Sequence, residues 1–261
     1  MNSRNLLNPF LSIFFLSLLF TFACKKNNSG GYYKMHLRSL TWYNIEPRTY
    51  GDSLYFWWSK DLSHVTQLSF YSNTRHTDFP IRYDINGNIS QVQMGAYVFN
   101  YTNNVQGEIV HILGVDTLNA VYDTIDISLN YSGGKVSQII YYRNKPLGNE
   151  SKFERYTMTW SGDNIVQIDR ETKAYLNDAY VFVQKYNYTY DNKINPMQGF
   201  YFLFYFYNRP MDLVEMYSKN NITSWNVKIN WEYNILQYPV KRIGLSFVGY
   251  TDTLYYNYYN Y

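Results

Sequence analysis

Phe79-Pro80-Ile81-Arg82-Tyr83-Asp84-Ile85-Asn86-Gly87-Asn88-Ile89-Ser90-Gln91-Val92 is the stretch on which the reading of the fold turns. Phe79, Ile81 and Tyr83 recur with period two, which places them on one face of a β-strand. Asp84 to Asn88 follows with turn chemistry, because Asn and Gly tolerate the positive φ that tight hairpins require. Ile89 and Val92 then open a second apolar segment, three residues apart.

Working outward, the same arrangement recurs. Its first half returns as Leu54-Phe56-Trp58, Tyr97-Phe99-Tyr101, Ile127-Leu129-Tyr131, Tyr156-Met158-Trp160, Tyr186-Tyr188-Tyr190 and Val227-Ile229-Trp231, always ending on an aromatic. The residues between are mostly polar, so each strand has one apolar and one wetter face. Turn chemistry follows, as in Ser132-Gly133-Gly134-Lys135, Ser161-Gly162-Asp163-Asn164 and Asp191-Asn192-Lys193. The second strands open with Val65/Leu68, Ile109/Ile112, Val136/Ile139, Ile165/Ile168, Ile194/Met197 and Val240/Ile243.

A spacing of three puts two side chains on opposite faces of an ideal strand. A helical turn would bring them together, but the segments are too short and too rich in β-branched residues. Two readings stand side by side: a twisted or bulged strand start, or a strand covered on both faces. Seven hairpin units imply about fourteen strands in an antiparallel up-and-down meander, with the Tyr-rich end from Tyr250 to Tyr261 able to add another. A sheet of that size must curl, close or split. Gly114–Asp126 and Arg143–Phe153 are expected to be loops at one edge. The fold class is therefore all-β, and residues 32–261 contain no Pro- or Gly-rich linker, which makes them a single domain.

Composition agrees. Aromatics are 20% of the 261 residues, with 31 tyrosines, which favours strands. Only 16% are charged, which argues against disorder. The net charge of +3 is dispersed, so no basic stripe marks a nucleic-acid partner. The four histidines, His36, His64, His76 and His111, stand at no metal-ligand spacing, and one cysteine cannot build a disulfide framework.

That cysteine ends the apolar N-terminal run. Arg4 gives a positive start, Phe10 to Phe22 is apolar apart from Ser12, Ser17 and Thr21, and the run closes on Thr21-Phe22-Ala23-Cys24. Residues 1–23 read as a signal peptide, short for a membrane span of roughly 20 apolar residues. Ala23-Cys24 resembles the bacterial lipobox, with Thr21 where leucine is usual. The resemblance implies that the Cys24 thiol is acylated and becomes the mature N-terminus. Residues 24–31, including Lys25-Lys26-Asn27-Asn28-Ser29-Gly30-Gly31, suit a flexible tether. Lys25 stands where an aspartate retains enteric lipoproteins at the inner membrane, so the resemblance points to the outer membrane, on its periplasmic face or at the cell surface.

Tyr83-Asp84 followed by Asn86-Gly87-Asn88-Ile89, and Tyr190-Asp191-Asn192-Lys193-Ile194, resemble the YD repeats of secreted bacterial proteins. With the lipobox, the chain is similar over residues 40–245 to a family of uncharacterised bacterial lipoproteins with a porin-like all-β fold. The resemblance implies that fold and assigns no activity; of functional residues only Cys24 carries over.

Motifs of the hydrolase, phosphate-loop and zinc-protease kinds are absent, so no enzyme activity and no cofactor is expected. Asp169 and Glu171 share a strand face with Arg170 between them, which reads as a solvated face rather than a catalytic pair. Asp116, Asp123 and Asp126 read as a polar loop rather than a calcium site. Of the six tryptophans, Trp58, Trp160 and Trp231 hold the last aromatic position of the repeat and are expected in the core. Trp57 is out of phase with its strand and Trp225 lies outside the alternating set. These two are the candidate ligand-binding residues, since an exposed aromatic can stack on a sugar ring. The expected function is a membrane-anchored, non-catalytic binding or scaffold module whose partner is a polysaccharide or envelope protein. The alternative is an outer-membrane β-barrel, whose strands also alternate and end in aromatic girdles.

Overall fold

The computed structural model describes residues 36–44, 52–72, 75–118, 124–144, 152–200, 210–225, 227–245 and 251–259. All of them fall in one compact unit, Met35–Tyr261. The first strands are β1 (Leu37–Asn44), β2 (Asp52–Trp58), β3 (Val65–Tyr71), β4 (His76–Tyr83), β5 (Ile89–Met94) and β6 (Tyr97–Asn103). The meander continues through β7 (Ile109–Asp116), β8 (Thr124–Ser132), β9 (Lys135–Asn144), β10 (Lys152–Ser161), β11 (Asn164–Lys173) and β12 (Val181–Asn187). Then come β13 (Thr189–Ile194), a helix α1 (Pro210–Tyr217), β14 (Asn220–Ser224), β15 (Ile229–Tyr233), β16 (Pro239–Leu245) and β17 (Thr251–Tyr258). Fifteen of the strands form one antiparallel sheet in the order β12 back to β1, then β17, β16 and β15, while β13 and β14 pair separately.

The expected all-β meander is present. Its strand count exceeds about fourteen because β1, β14 and the Tyr-rich β17 lie outside the seven hairpin units and because Tyr186–Tyr190 is broken at Tyr188 into two strands. Ile194 ends β13 and Met197 lies in a turn, so that pair does not open a strand. The expected loops are shorter than Gly114–Asp126 and Arg143–Phe153. Gly114 sits inside β7 opposite Phe99, whose ring lies where a Cβ on Gly114 would be.

The spacing of three is a bulge. Trp58 pairs with Val65 and Trp57 with Gln67, so Thr66 has no partner. The same slip skips Ser90 between Tyr83/Ile89 and Arg82/Gln91, and Val110 between Asn103/Ile109 and Thr102/His111. It recurs at Ser137 and Val166. One extra residue after each turn returns Leu68, Val92, Ile112, Ile139 and Ile168 to the face of Val65, Ile89, Ile109, Val136 and Ile165. One face is buried, not two.

The slip also explains why the last aromatic is Tyr or Trp. Each reaches back to an earlier strand and donates to a carbonyl of its first or second residue. Trp58 Nε1 donates to Leu37 O (2.9 Å), Tyr83 Oη to Val65 O (2.6 Å) and Tyr131 Oη to Ile109 O (2.9 Å). Trp160 Nε1 donates to Val136 O (2.7 Å), and Tyr190 Oη to Ile165 O. Beyond the repeat set, Tyr258 Oη donates to Pro239 O (2.8 Å). A bulge disturbs the ladder, and a buried carbonyl without a donor costs about 1–3 kcal/mol. A polar-tipped ring supplies the donor and still packs on the core, which phenylalanine cannot do. In the third hairpin the slot is held by Asn103, whose Nδ2 donates to Ile89 O (2.9 Å), and Tyr101 lies two residues earlier in the core. These slot rings pack against the buried core from partly buried positions.

The buried set, including Phe56, Leu68, Val92, Ile127, Ile139, Ile165 and Ile168, forms one continuous cluster contributed by nearly every strand. The opposite face carries Asn130, Thr157, Thr159 and Gln138, together with the ion pairs Arg155–Glu171 (2.6 Å) and Lys185–Asp169 (3.8 Å). The Asp169/Glu171 face is thus solvated and ion-paired. The chain links the two sheet edges through the β13–β14 ladder. Only Tyr188 separates β12 from β13, and its N–H still donates to Val166 O (3.0 Å). On the other side an isolated bridge joins Ser224 to Lys228 just before β15. Leu213, Val214 and Met216 of α1 are buried in the same cluster, and Phe200 packs on Phe56 with ring centroids 4.9 Å apart.

Candidate functional site

Trp57 and Trp58 are neighbours on β2 and, as strand geometry requires, they part company. Trp58 turns toward the core and Trp57 is 46% exposed on the outer face. Around Trp57 the outer face of β1, β2 and β3 forms a recess of 480 Å³ lined by Arg38, Ser53, Tyr55, Trp57, Tyr71 and Tyr259. Register explains the grouping: Tyr55 lies opposite Ser39 on one side and Ser69 on the other, and Ser53 lies opposite Tyr71.

The recess is held from beneath. Trp57 Nε1 donates to Ser69 Oγ (2.8 Å), and the Ser69 hydroxyl donates to Asp78 Oδ1 (2.6 Å). Ser69 is 1% exposed, and its hydroxyl is the main reason the Asp78 carboxyl is held below the ordinary carboxylate range. Tyr71 stacks on His76 at 4.2 Å and meets Tyr55 edge to face at 5.2 Å. The Arg38 guanidinium lies 5.7 Å from the Tyr259 ring centroid, and no described carboxylate forms an ion pair with it. A second depression of 530 Å³ shares Arg38 and Tyr55 and runs on to Asn257 and Asn234. Together the two span β3 to β16, four inter-strand steps or roughly 19 Å. Chemically the trough offers flat apolar rings, fixed by their neighbours, with a guanidinium and hydroxyl groups between them.

Trp225 is not part of it. Its side chain is 8% exposed and stacks on Tyr186 at 6.4 Å, so it belongs to the core and the expectation of a second surface tryptophan is corrected. Alternation could not reveal this, because Trp225 follows β14 and its partner lies on β12, far away in sequence. Conversely, no sequence pattern marks Arg38 or Tyr259 as site residues; only the pairing of the first strand β1 with the last strand β17 brings them together. Cys24 lies outside the described residues.

A different polar group sits where β10 meets β11. Glu154 is fully buried, receives Arg170 and Lys152 (2.9 Å to the latter), and accepts from Tyr156 Oη (2.9 Å). A recess of 510 Å³ adjoins it. Both Glu154 oxygens are engaged, so it is a buried ion pair held together by its partners. Asp126 pairs with His111 (3.1 Å), and Asp123 lies outside the described residues. Among the described residues no group of three or more His, Cys, Asp or Glu could hold a metal ion.

No family model matches the chain, and no curated protein matches. Among solved structures it is similar to a porin-like protein from Bacteroides vulgatus ATCC 8482, with a TM-score of 0.55 and 12% identity over 87% of this chain and all of that one. The shared feature is the fold: this chain has a porin-like all-β architecture. A TcdB2–TccC3–Cdc42 complex matches 74% of this chain and 11% of its own, at 12% identity and a TM-score of 0.29, too low to argue a common fold.

Proposed function

We propose that this protein is a lipid-anchored, non-catalytic module of the bacterial envelope that binds a polysaccharide in the trough built on Trp57. The observation that carries the reading is the recess itself: an outward indole, three tyrosine rings and one arginine, braced by Ser69 and Asp78. Sugar rings present apolar C–H faces ringed by hydroxyls, which suits flat aromatics interleaved with hydrogen-bonding tips. Two adjoining depressions whose linings draw on five strands suit a chain-like ligand better than a single small molecule. Attachment through Cys24 would hold such a module at the outer membrane, where polysaccharides are at hand.

The membrane-spanning alternative has the polarity against it. A transmembrane barrel turns apolar residues outward to lipid and keeps a polar interior. Here the apolar set is internal, and the outward positions hold Thr, Asn, Gln and ion pairs.

The test is a screen of purified envelope and plant polysaccharides by affinity electrophoresis and titration calorimetry. At least one class is expected to bind, and Trp57→Ala is expected to weaken it by about tenfold or more, in line with loss of a central aromatic contact. If nothing binds, or if Trp57→Ala binds as the parent does, the reading fails. Anchoring is tested separately by labelled palmitate, which Cys24→Ser should no longer take up.

A further inference from the structure

The structure points to one rim of the sheet as a surface that rests on a lipid bilayer; we infer this from three turns built alike. In the first, the Asp84 carboxylate accepts from Asn86 N–H (2.8 Å) and Asn88 N–H (2.9 Å). In the second, Asn104 Oδ1 accepts from Gln106 and Glu108, and in the third Asn234 Oδ1 accepts from Leu236 and Tyr238. The fourth position of each has positive φ: Gly87 (81°), Gly107 (81°) and Gln237 (65°). The residue directly after each anchoring Asp or Asn is aliphatic and stands almost free of the protein: Ile85 at 99%, Val105 at 96% and Ile235 at 93% exposed.

The turn geometry does not ask for an aliphatic there, since this position makes none of the turn's side-chain bonds. Turn tips are ordinarily polar, and a fully exposed Ile or Val repeated at one structural position is the pattern of an interaction surface. The three tips share a rim. Strands β2, β4, β6, β15 and β17 run in one direction by their antiparallel pairings, so the turns after β4, β6 and β15 lie at the same end.

What covers that rim follows from where the chain enters. β1 begins at Leu37, opposite Tyr258 at the end of β17, so the segment from Cys24 joins the domain at this rim. The thirteen residues from Cys24 to His36 reach at most about 40 Å. This step rests on the lipid-anchor reading above; with Cys24 in the membrane, the tips face the same bilayer. Elsewhere on the same rim, at the turns after β8 and β10, the charges are of both signs and partly cancel, since Lys135 and Lys219 both pair with Asp163. The contact is therefore apolar, with Ile85, Val105 and Ile235 entering the headgroup boundary. The opposite rim also exposes Leu118 and, around the β11–β12 connection, Tyr175, Leu176, Val181 and Phe182, but at no repeated turn position; Leu118 and Leu176 serve as the control.

The experiment uses residues 24–261 with Cys24→Ser, which keep the whole described fold and carry no lipid. Flotation with vesicles of phosphatidylethanolamine and phosphatidylglycerol is expected to carry the protein, with little change at high salt. The Ile85→Ser, Val105→Ser, Ile235→Ser triple variant is expected to lose about tenfold or more in partitioning, at an unchanged melting temperature. Leu118→Ser with Leu176→Ser should partition as the parent does. Failure of the parent to float, equal flotation of the triple variant, or a loss seen only in the control pair each overturns the inference. Palmitate labelling of the chain with Cys24 intact reports on the anchor independently, so either claim can fall while the other stands.

Discussion

The five hairpins from β2 to β11 and the segment from Tyr188 to Leu245 use the same vocabulary to different ends. In the hairpins the local rules agree: alternation, a turn, a bulge and a polar side chain that closes on the bulge carbonyl, a Tyr or Trp ring everywhere except at Asn103. In the later segment the rules are broken one at a time. Tyr188 interrupts its strand, Gln237 holds a left-handed position filled by glycine in the sister turns, and Arg242 lies opposite Trp231 and pairs with Glu215 of α1. The hairpins need only extend the sheet. The later segment must also link the two sheet edges and place a helix against the core, so its residues answer to long-range partners.

The largest effect should come from the second region. Glu215 and Arg242 are each 14% exposed. Glu215→Ala removes the carboxylate that pairs with the largely buried Arg242 and is expected to cost about 3 kcal/mol by urea denaturation. Glu215→Leu with Arg242→Met should recover most of that loss. A negligible loss in the single variant would mean the pair is solvated and that the two regions do not differ in this way.

The repeat region should respond next. Tyr83→Phe keeps the ring and removes only the donor to Val65 O, so it is expected to cost about 1–2 kcal/mol. Trp160→Phe should behave alike at Val136, with some lost packing added. Val98→Ala, on the outer face of β6, is the comparison that should cost less. A pH series sharpens the same point. Burial pushes the Tyr83 phenol up to about 12, and burial likewise raises Tyr101, Tyr156, Tyr190 and Tyr258. Their neutral forms are favoured by the fold, so their contribution is complete below the unfolded phenol value of about 10 and is lost as pH rises through the folded values. Urea midpoints should hold near pH 9 and fall steadily toward about pH 12.

The smallest effect has the opposite sign. Gln237→Gly should raise stability by about 0.5–1 kcal/mol, because it relieves a left-handed side-chain conformation. Gly87→Gln in the sister turn should lower it by a similar amount.

The alternation of Leu54-Phe56-Trp58 and its sisters made the buried face legible in the sequence, since a period of two has one structural meaning when polar residues fill the gaps. The spacing of Val65 and Leu68 was ambiguous because a bulge and a doubly covered strand leave the same trace; only strand pairing separates them. Asn103 hid the third slot, because Tyr101 satisfied the pattern two residues too early. Helix α1 and the burial of Trp225 depend on contacts with β11, β16 and β12, which no local window contains. Of the candidate site, Trp57 could be read from its phase alone. Arg38, Tyr71 and Tyr259 could not, because sheet register across β17, β1, β2 and β3 is what gathers them.

The account rests most directly on Trp57 and Trp58, adjacent in the chain and assigned to opposite faces. Their alanine variants, unfolded in urea side by side, should differ sharply. Trp58→Ala is expected to lose about 3 kcal/mol, since a core-facing ring and the donor to Leu37 O go together. Trp57→Ala is expected to lose less than about 1 kcal/mol, the worth of its single bond to Ser69. Equal losses would contradict the account, since Trp57 would then be part of the core and no free aromatic face would remain on β2 for a ligand.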